Sequence, residues 1–344
     1  MSKRLIVCCD GTWNTPDQKD GGEIRPSNVV KMTRAITPKA TDGKVQVVFY
    51  DKGVGTGWGL DRLTGGAFGQ GLTRNVEDAY RFLIDNYAEG DEIFFFGFSR
   101  GAYTARSTGG LIRNCGILKK IHADKFPEAL AIYKSKDIIP DSEEAKKFID
   151  AYSRAVKIKF MGVWDTVGAL GVPITWLHFL SGKRHQFHDV KLSSYIENAY
   201  HAVSIDEKRK PFKPALWAAP KRESQKVEQV WFSGVHTNIG GGYLDSGLSD
   251  IAFLWMKEKA EACGLTLDPA YIEAVIHPNY KGVLRNSKKG IYKFTGSYIR
   301  PIEKGDCAGE SVHPTANKRF EDESLRYKPS NLAAYLNRRN NTNS

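Results

Sequence analysis

The chain has 344 residues, 41% hydrophobic and 26% charged, a balance typical of a folded globular protein that excludes a disordered or fibrous chain. Its five cysteines are odd in number and include no CxxC pair, which excludes a disulfide framework or zinc ribbon and favours a reducing compartment. The formal net charge of +11 favours anionic partners such as phospholipid surfaces, but the excess is dispersed and lacks interleaved aromatics, so we expect no nucleic-acid partner.

Short strand patterns alternate with helical patterns along the chain. The predicted strands are β-branched or aromatic runs at residues 4–9, 45–50, 92–96, 158–164 and 227–232, and several are apolar on consecutive residues, as in a buried parallel sheet. The clearest helix covers residues 71–87, where apolar residues recur at spacings of three and four. The alternation predicts an α/β fold with a mostly parallel sheet, helices on both faces and the active region at the carboxyl ends of the strands.

We expect a single domain over residues 1–335, with helical insertions above the sheet at about 115–155 and 169–226 and a frayed tail at 336–344. The first residues predict a strand rather than a signal peptide, so we expect a cytoplasmic protein or one exported without a cleaved leader. The apolar run at 161–180 is interrupted by Asp165 and Pro173, which argues against a membrane span. This run could instead form an acyl-binding wall, a lipid-docking lid or an internal helix.

The motif with the clearest chemistry is Gly97-Phe98-Ser99-Arg100-Gly101, a GxSxG sequence between a predicted buried strand and a predicted helix. This context predicts a nucleophile elbow, in which the flanking glycines permit a sharp turn and Ser99 presents its hydroxyl at the end of the strand. The backbone N–H of Arg100 would then face a developing oxyanion. The alternative is that Ser99 merely caps the following helix.

A nucleophilic serine needs a histidine as base, and two histidines are well placed. His236 follows the strand at 227–232 and precedes a glycine-rich segment, so we expect it on a loop at the same edge of the sheet as Ser99. His201 falls in a segment that we interpret as a helix and could face the core. We favour His236.

A carboxylate is needed to orient that histidine, and Asp165 is the strongest candidate because it follows the predicted strand at 158–164. Ser99, Asp165 and His236 would then occur in the chain order of the α/β-hydrolase arrangement. The rival acids are Asp10, Asp206, Asp245 and Asp250.

A second oxyanion donor must come from a loop after an earlier strand, and we choose Gly11 and Thr12 in the turn after the first strand. The glycine cluster at 53–59 lacks the lysine of a phosphate loop and the helix of a dinucleotide fingerprint. It is interpreted as a flexible loop bordering the active site.

Seven sequence blocks together resemble the DUF2235 family of α/β-hydrolases: LIVCCDGTWN, YDKGVGT, GFSRGAY, GVWDTVGALG, AYHAVSIDEKRKPF, VWFSGVHTNIGGGYLDSGLSDIAFLWM and SVHPTANKRF with YKPSNL. The family includes the catalytic part of the type VI secretion lipase effectors of the first class. The resemblance implies ester hydrolysis on a lipid by a Ser-Asp-His triad, with no metal or organic cofactor. Ser99 matches the family elbow, whereas the family also offers recurring positions that correspond to His201, Asp206, Asp250 and His313.

The sequence therefore predicts a serine hydrolase that cleaves carboxylic esters, with the acyl esters of phospholipids as the expected substrate and possible peripheral contact with anionic membrane. Two alternatives remain open at this stage. One is a small-ester or thioester hydrolase without a membrane role. The other is a non-catalytic binding module that uses the basic surface.

Overall fold

A seven-stranded sheet forms the centre of the computed structural model, which describes residues 2–11, 14–53, 65–135, 137–167, 192–218, 224–294, 296–303, 307 and 309–342. Its strands are β1 (Arg4–Cys9), β4 (Gln46–Asp51), β5 (Glu92–Phe98), β8 (Ile158–Trp164), β9 (Ile196–Ser204), β10 (Lys226–Phe232) and β11 (Glu310–Val312). The strand order is β11-β10-β9-β8-β5-β1-β4, and all neighbouring strands in it run parallel. Two small antiparallel pairs join β2 (Lys19–Asp20) to β3 (Glu23–Ile24) and β6 (Ile117–Leu118) to β7 (Ser153–Arg154).

Helices cover both faces of this sheet, as predicted for the α/β-hydrolase-like fold. They are α1 (Asn28–Ala35), α2 (Gly65–Asn86), α3 (Arg100–Cys115), α4 (Phe126–Lys134), α5 (Glu143–Tyr152), α6 (His236–Gly240), α7 (Gly247–Ala262), α8 (Pro269–Val275), α9 (Pro314–Glu321) and α10 (Ser330–Thr342). Helices α2 to α5 pack on one face, and α1, α7 and α8 on the other. Helices α9 and α10 form a third apolar cluster beside β9 and β10.

Strand β5, which lies between β8 and β1, explains why both faces are apolar. Phe94 and Phe96 belong to the cluster that includes Phe160, whereas Phe95 belongs to the opposite cluster with Ala102. Successive side chains of a strand point to opposite faces, so a run of consecutive phenylalanines is the pattern of a strand buried on both sides. Because β5 pairs in parallel with β1 and β8, the residue that follows it lies between the carboxyl ends of these two strands.

The five predicted strands are present, and the structure corrects other predictions. Strand β9 lies inside the region predicted as the second insertion, so that region is not a continuous insertion above the sheet. The helices of the 115–155 region pack against α3. Helix α10 continues to Thr342, where a frayed tail was predicted from residue 336. The glycine loop from residue 54, most of the apolar run at 161–180, and residues 343–344 lie outside the described residues.

Candidate active site

Ser99 occupies a sharp turn between β5 and α3. Its backbone angles are φ 58° and ψ −120°, a conformation that residues with a side chain seldom adopt. A Cβ on Gly97 would lie 2.5 Å from the Cα of Ala102, and a Cβ on Gly101 would overlap the carbonyl oxygen of Cys9. The two flanking glycines are therefore required by close backbone approach, as the motif predicts. Ser99 makes no capping hydrogen bond to α3, which removes the alternative interpretation.

His236 is the first residue of α6 and its ring lies beside the hydroxyl of Ser99. The Nε2 atom of His236 is 2.8 Å from the Oγ atom of Ser99. The ring packs between two aromatic rings, with centroid distances of 4.7 Å to Phe98 and 5.0 Å to Phe212. These contacts hold the imidazole in one plane and keep it 5% exposed.

Asp165 follows β8 directly and is fully buried. Its Oδ2 atom is 2.6 Å from the Nδ1 atom of His236, and its Oδ1 atom accepts the backbone N–H of Ser204 at 2.9 Å. Burial raises the pKa of Asp165, but the charge of Arg300 and the contact with His236 outweigh burial and lower this pKa well below its usual range. Asp165 is therefore ionised, and the Nδ1 atom of His236 must carry the proton that it shares with Asp165. The Nε2 atom is then left to accept the hydroxyl proton of Ser99.

Burial also lowers the pKa of His236 from its ordinary value, although Asp165 acts in the opposite direction. The imidazole is therefore neutral near neutral pH. A neutral imidazole aimed at a serine hydroxyl and anchored by a carboxylate can remove a proton from that hydroxyl.

The backbone N–H groups predicted as oxyanion donors differ in their positions and hydrogen bonds. Arg100 is the first residue of α3, directly after Ser99, so its backbone N–H belongs to the positive end of a 16-residue helix. Gly11 lies against Ser99, since a Cβ on Gly11 would be 3.3 Å from the Cβ of Ser99. The N–H of Gly11, however, donates to the Oδ1 atom of Asp10 at 2.7 Å and is thus already engaged. Thr12 lies outside the described residues.

His201 lies on strand β9, which corrects the prediction of a helix. It is fully buried, and its Nε2 atom accepts the backbone N–H of Thr166 at 3.0 Å. Burial, with a smaller contribution from Arg106, lowers the pKa of His201 to about 3, so the ring is neutral. His201 therefore anchors the residue that follows Asp165.

The rival acidic residues are placed in other roles by their hydrogen bonds. Asp206 accepts the backbone N–H of Gly234 at 2.7 Å and the hydroxyl of Tyr327 at 2.8 Å, so it supports the loop that precedes His236. Burial raises the pKa of Asp206 to about 6. Asp250 pairs with Lys31 at 2.5 Å.

Asp245 and Asp10 have equally clear partners. Asp245 accepts the backbone N–H groups of Gly247 and Val283. Asp10 accepts from Ser27 at 2.6 Å and from Tyr50 at 2.9 Å.

The remaining histidine candidate, His313, also lies apart from Ser99. Its ring stacks on Phe232 with a centroid distance of 4.6 Å, and its Nδ1 atom accepts the backbone N–H of Thr315 at the start of α9. The structure thus brings together Ser99, Asp165 and His236, and it places the other candidates around them or elsewhere.

Two residues near these three side chains were missed by the sequence analysis. Arg300 is 1% exposed and donates to both carboxylate oxygens of Asp165. Glu207 accepts the backbone N–H of His236 at 3.3 Å. Arg300 lies in a segment without a recognisable motif. Glu207 lies in the block AYHAVSIDEKRKPF, which matches the family but did not point to this residue. Because the burial of a charged side chain is visible only after folding, the sequence placed neither residue beside these three side chains.

In the described ranges of the chain, every helix is too short or too polar to span a bilayer. The same residues bring no three His, Cys, Asp or Glu side chains together as a metal site.

Comparison with solved structures returns remote similarities. A crystal structure of an uncharacterized protein from Pseudomonas aeruginosa matches with 17% identity and a TM-score of 0.49, covering 81% of this chain and 49% of that chain. The structure of the Tle1 effector bound to the VgrG spike from the type 6 secretion system matches with 20% identity and a TM-score of 0.40, covering 72% of this chain and 52% of the other.

Sequence comparison gives a closer relation. An uncharacterized protein of Saccharomyces cerevisiae, YEL023C, is 29% identical over 234 residues, which are 61% of this chain and 32% of the relative, so the chain spans about a third of that relative. The sequence profile described as "T6SS, Phospholipase effector Tle1-like, catalytic domain" matches residues 3–259. Because this match covers most of the chain, the chain belongs to the family of Tle1-like phospholipase effector catalytic domains, a family of lipase- and esterase-type hydrolases.

Proposed function

We propose that this chain is a serine esterase that cleaves the acyl esters of phospholipids through an acyl-enzyme formed on Ser99. The observation that carries the proposal is the continuous chain of hydrogen bonds from the Oγ atom of Ser99 through His236 to Asp165, at 2.8 Å and 2.6 Å. Serine, imidazole and carboxylate at these distances make up the arrangement that activates a hydroxyl for acyl transfer.

In the proposed reaction, the Oγ atom of Ser99 attacks the ester carbonyl while the Nε2 atom of His236 removes the hydroxyl proton. Asp165 stabilises the imidazolium that results. The imidazolium then donates its proton to the leaving alcohol, and an acyl-serine remains. Water, deprotonated by His236, attacks this ester and releases the fatty acid and the free serine.

The tetrahedral intermediates carry a negative oxygen, and we assign the backbone N–H of Arg100 as one donor to it. The N-terminus of α3 adds its partial positive charge at this position. The second donor is proposed to come from the segment of Gly11 and Thr12. Gly11 could donate only if its N–H moved away from the carboxylate of Asp10, so within this segment Thr12 is the better choice.

The test of the nucleophile is labelling with a fluorophosphonate followed by peptide mapping. The expected result is a single modified peptide carrying the label on Ser99, and no labelling of the Ser99→Ala variant. The variant should retain the fold and lose ester hydrolysis by about 10³-fold or more. Ser142→Ala is the matched control, because Ser142 caps α5 and should not affect the rate. Wild-type-like hydrolysis by Ser99→Ala would overturn the proposal.

The substrate class is tested with a chain-length series of nitrophenyl esters and with phospholipid vesicles. A lipase should prefer long acyl chains and release fatty acid from vesicles, whereas a preference for acetate esters would indicate a small-ester hydrolase. The net charge of +11 should increase binding to anionic vesicles over neutral ones, and added salt should weaken that binding. Equal activity on both vesicle types at low salt would argue against a contribution of the basic surface.

A further inference from the structure

Arg300 is the most deeply buried cation close to the three proposed catalytic side chains. Its guanidinium has no exposed surface, and the Nη1 atom lies 2.6 Å from the Oδ1 atom of Asp165. The Nη2 atom donates to the Oδ2 atom of Asp165 at 3.1 Å, the same oxygen that faces His236. The guanidinium therefore binds both carboxylate oxygens at once, with a directional geometry that an ammonium cannot reproduce.

The same guanidinium connects Asp165 to two other segments of the site. It donates to the carbonyl oxygen of Ser204 at 3.0 Å and to that of Phe212 at 2.5 Å. Ser204 also donates its N–H to Asp165, and the ring of Phe212 packs against His236. One side chain thus holds the carboxylate and the backbone of an aromatic residue that restrains the imidazole.

Arg300 is itself held by the C-terminal helix. Asn331 on α10 donates from its side chain to the carbonyl oxygens of Arg300 and Ile205, both at 3.0 Å. Arg300 lies beyond residues 3–259, which the family profile matches. The C-terminal part of the chain therefore contributes directly to the surroundings of Asp165.

We propose that Arg300 is a positioning residue for ester hydrolysis, which holds both oxygens of Asp165 and thereby sets the orientation and the basicity of His236. This inference rests on the function proposed above. A permanently charged guanidinium offsets part of the negative charge of Asp165. The imidazolium form of His236 is then less stabilised, and the base stays neutral to lower pH than it would beside an unpaired carboxylate.

Other charged or titratable groups also lie close to Asp165 and His236. Glu207 contacts the backbone of His236, and Arg209 forms an ion pair with Glu207 at 2.8 Å. His201, on the strand beside Asp165, is neutral because burial lowers its pKa to about 3. Glu207 and Arg209 largely cancel each other's charge, so Arg300 is the cation expected to affect Asp165 most.

The test compares two variants. Arg300→Gln can still donate a hydrogen bond but has no charge, and Arg300→Lys keeps the charge but loses the bidentate contact with the two oxygens of Asp165. The measurement is the pH dependence of kcat and KM on a soluble nitrophenyl ester. In Arg300→Gln the acidic limb of kcat/KM should move to higher pH by about one unit, because Asp165 would stabilise the imidazolium more strongly. In Arg300→Lys this limb should stay near its wild-type position, while kcat falls by up to about 100-fold with little change in KM.

Arg4→Gln is the matched control. Arg4 is also a buried arginine paired with carboxylates, Asp42 at 2.7 Å and Glu92 at 2.8 Å, but it lies at the amino end of β1. Its loss should lower the melting temperature without moving the acidic limb. If Arg300 had a merely structural role, Arg300→Gln would behave like Arg4→Gln, with a lower melting temperature and an unchanged acidic limb of kcat/KM. An unchanged limb in Arg300→Gln would therefore overturn the inference.

Two further measurements cover the remaining outcomes. If Arg300→Gln does not fold, the kcat of Arg300→Lys tests the inference instead. A wild-type kcat in Arg300→Lys would then overturn it. If wild-type protein neither hydrolyses esters nor reacts with a fluorophosphonate, the proposed function fails separately. The titration of His236, followed by NMR in wild type and Arg300→Gln, then tests Arg300 without turnover: a higher pKa in the variant supports the inference, and an unchanged pKa refutes it.

Discussion

Within the described residues, Asp165 and Asp250 are both fully buried against a cation, and they differ in what else they contact. Asp165 pairs with Arg300 at 2.6 Å, and Asp250 pairs with Lys31 at 2.5 Å. The second pair joins α7 to α1, and Asp250 also accepts the hydroxyl of Ser246 at 2.7 Å. Either aspartate could have been chosen from the sequence as the acid that orients a histidine.

The two aspartates differ in the groups that contact their second carboxylate oxygen, Oδ2. In Asp165 this oxygen faces an imidazole whose other nitrogen faces Ser99. In Asp250 it accepts from Ser246 and from the backbone N–H of His277 at 3.0 Å. Burial of a charge with its counter-ion is thus common to a structural contact and a candidate active site. The candidate active site differs because its carboxylate is also hydrogen-bonded to a group that can accept a proton from a nucleophile.

The largest expected effect is on turnover. Asp165→Asn should lower kcat for ester hydrolysis by about 10⁴-fold, because a side-chain amide favours the wrong tautomer of His236. Asp250→Asn should leave kcat per folded molecule near wild type. Both variants would be assayed on the same nitrophenyl ester with the folded fraction measured by circular dichroism. Equal losses in the two variants would contradict the distinction between the two pairs.

The next effect is on stability and concerns the second pair. Asp250→Asn should lower the free energy of unfolding by about 3–5 kcal/mol, because the ammonium of Lys31 stays buried without its counter-ion. The double variant Lys31→Met with Asp250→Leu should recover most of this loss. Urea unfolding of the wild type, of Asp250→Asn and of the double variant provides the measurement. A loss below about 1 kcal/mol would mean that the pair behaves like an exposed ion pair.

A smaller effect separates His201 from His236. His201→Phe should reduce kcat by about tenfold, because the backbone N–H of Thr166 loses its acceptor and the residue after Asp165 is held less firmly. His201→Gln offers an acceptor and should recover part of the rate. If His201→Phe instead abolished turnover as completely as His236→Ala, His201 would have to be assigned a role closer to the reaction.

The last effect, small at neutral pH, is the pH dependence of stability caused by His201. Burial lowers the pKa of His201 from 6.5 to about 3, so between these values the unfolded chain binds a proton that the folded chain does not. The contribution to stability is therefore present above 6.5 and is lost as the pH falls toward 3, with a slope of up to about 1.4 kcal/mol per pH unit. His201→Phe should reduce this slope in urea unfolding across the acidic range. An unchanged slope would show that the ring already titrates normally in the folded protein.

The sheet was largely predictable because its strands are short and apolar on consecutive residues, as in β5 with its three consecutive phenylalanines. Strand β9 was missed because its sequence, IENAYHAVS, mixes alanine, polar and aromatic residues and shows neither a clear period of two nor a helical period. Its place in the sheet depends on pairing with β8 and β10, which are distant in the sequence. Non-local pairing of this kind overrides weak local preference.

The sequence by itself determined the turn at Ser99, because only glycine tolerates the close approach of backbone at Gly97 and Gly101. It also determined that Asp165 and His236 follow buried strands, and parallel strands bring such positions to one edge of the sheet. Only the tertiary structure decided that Arg300 binds Asp165, that Asp10 engages the N–H of Gly11, and that His201 supports Thr166. These contacts join residues whose desolvation and electrostatic partners exist only once the chain has folded, so no local pattern could encode them.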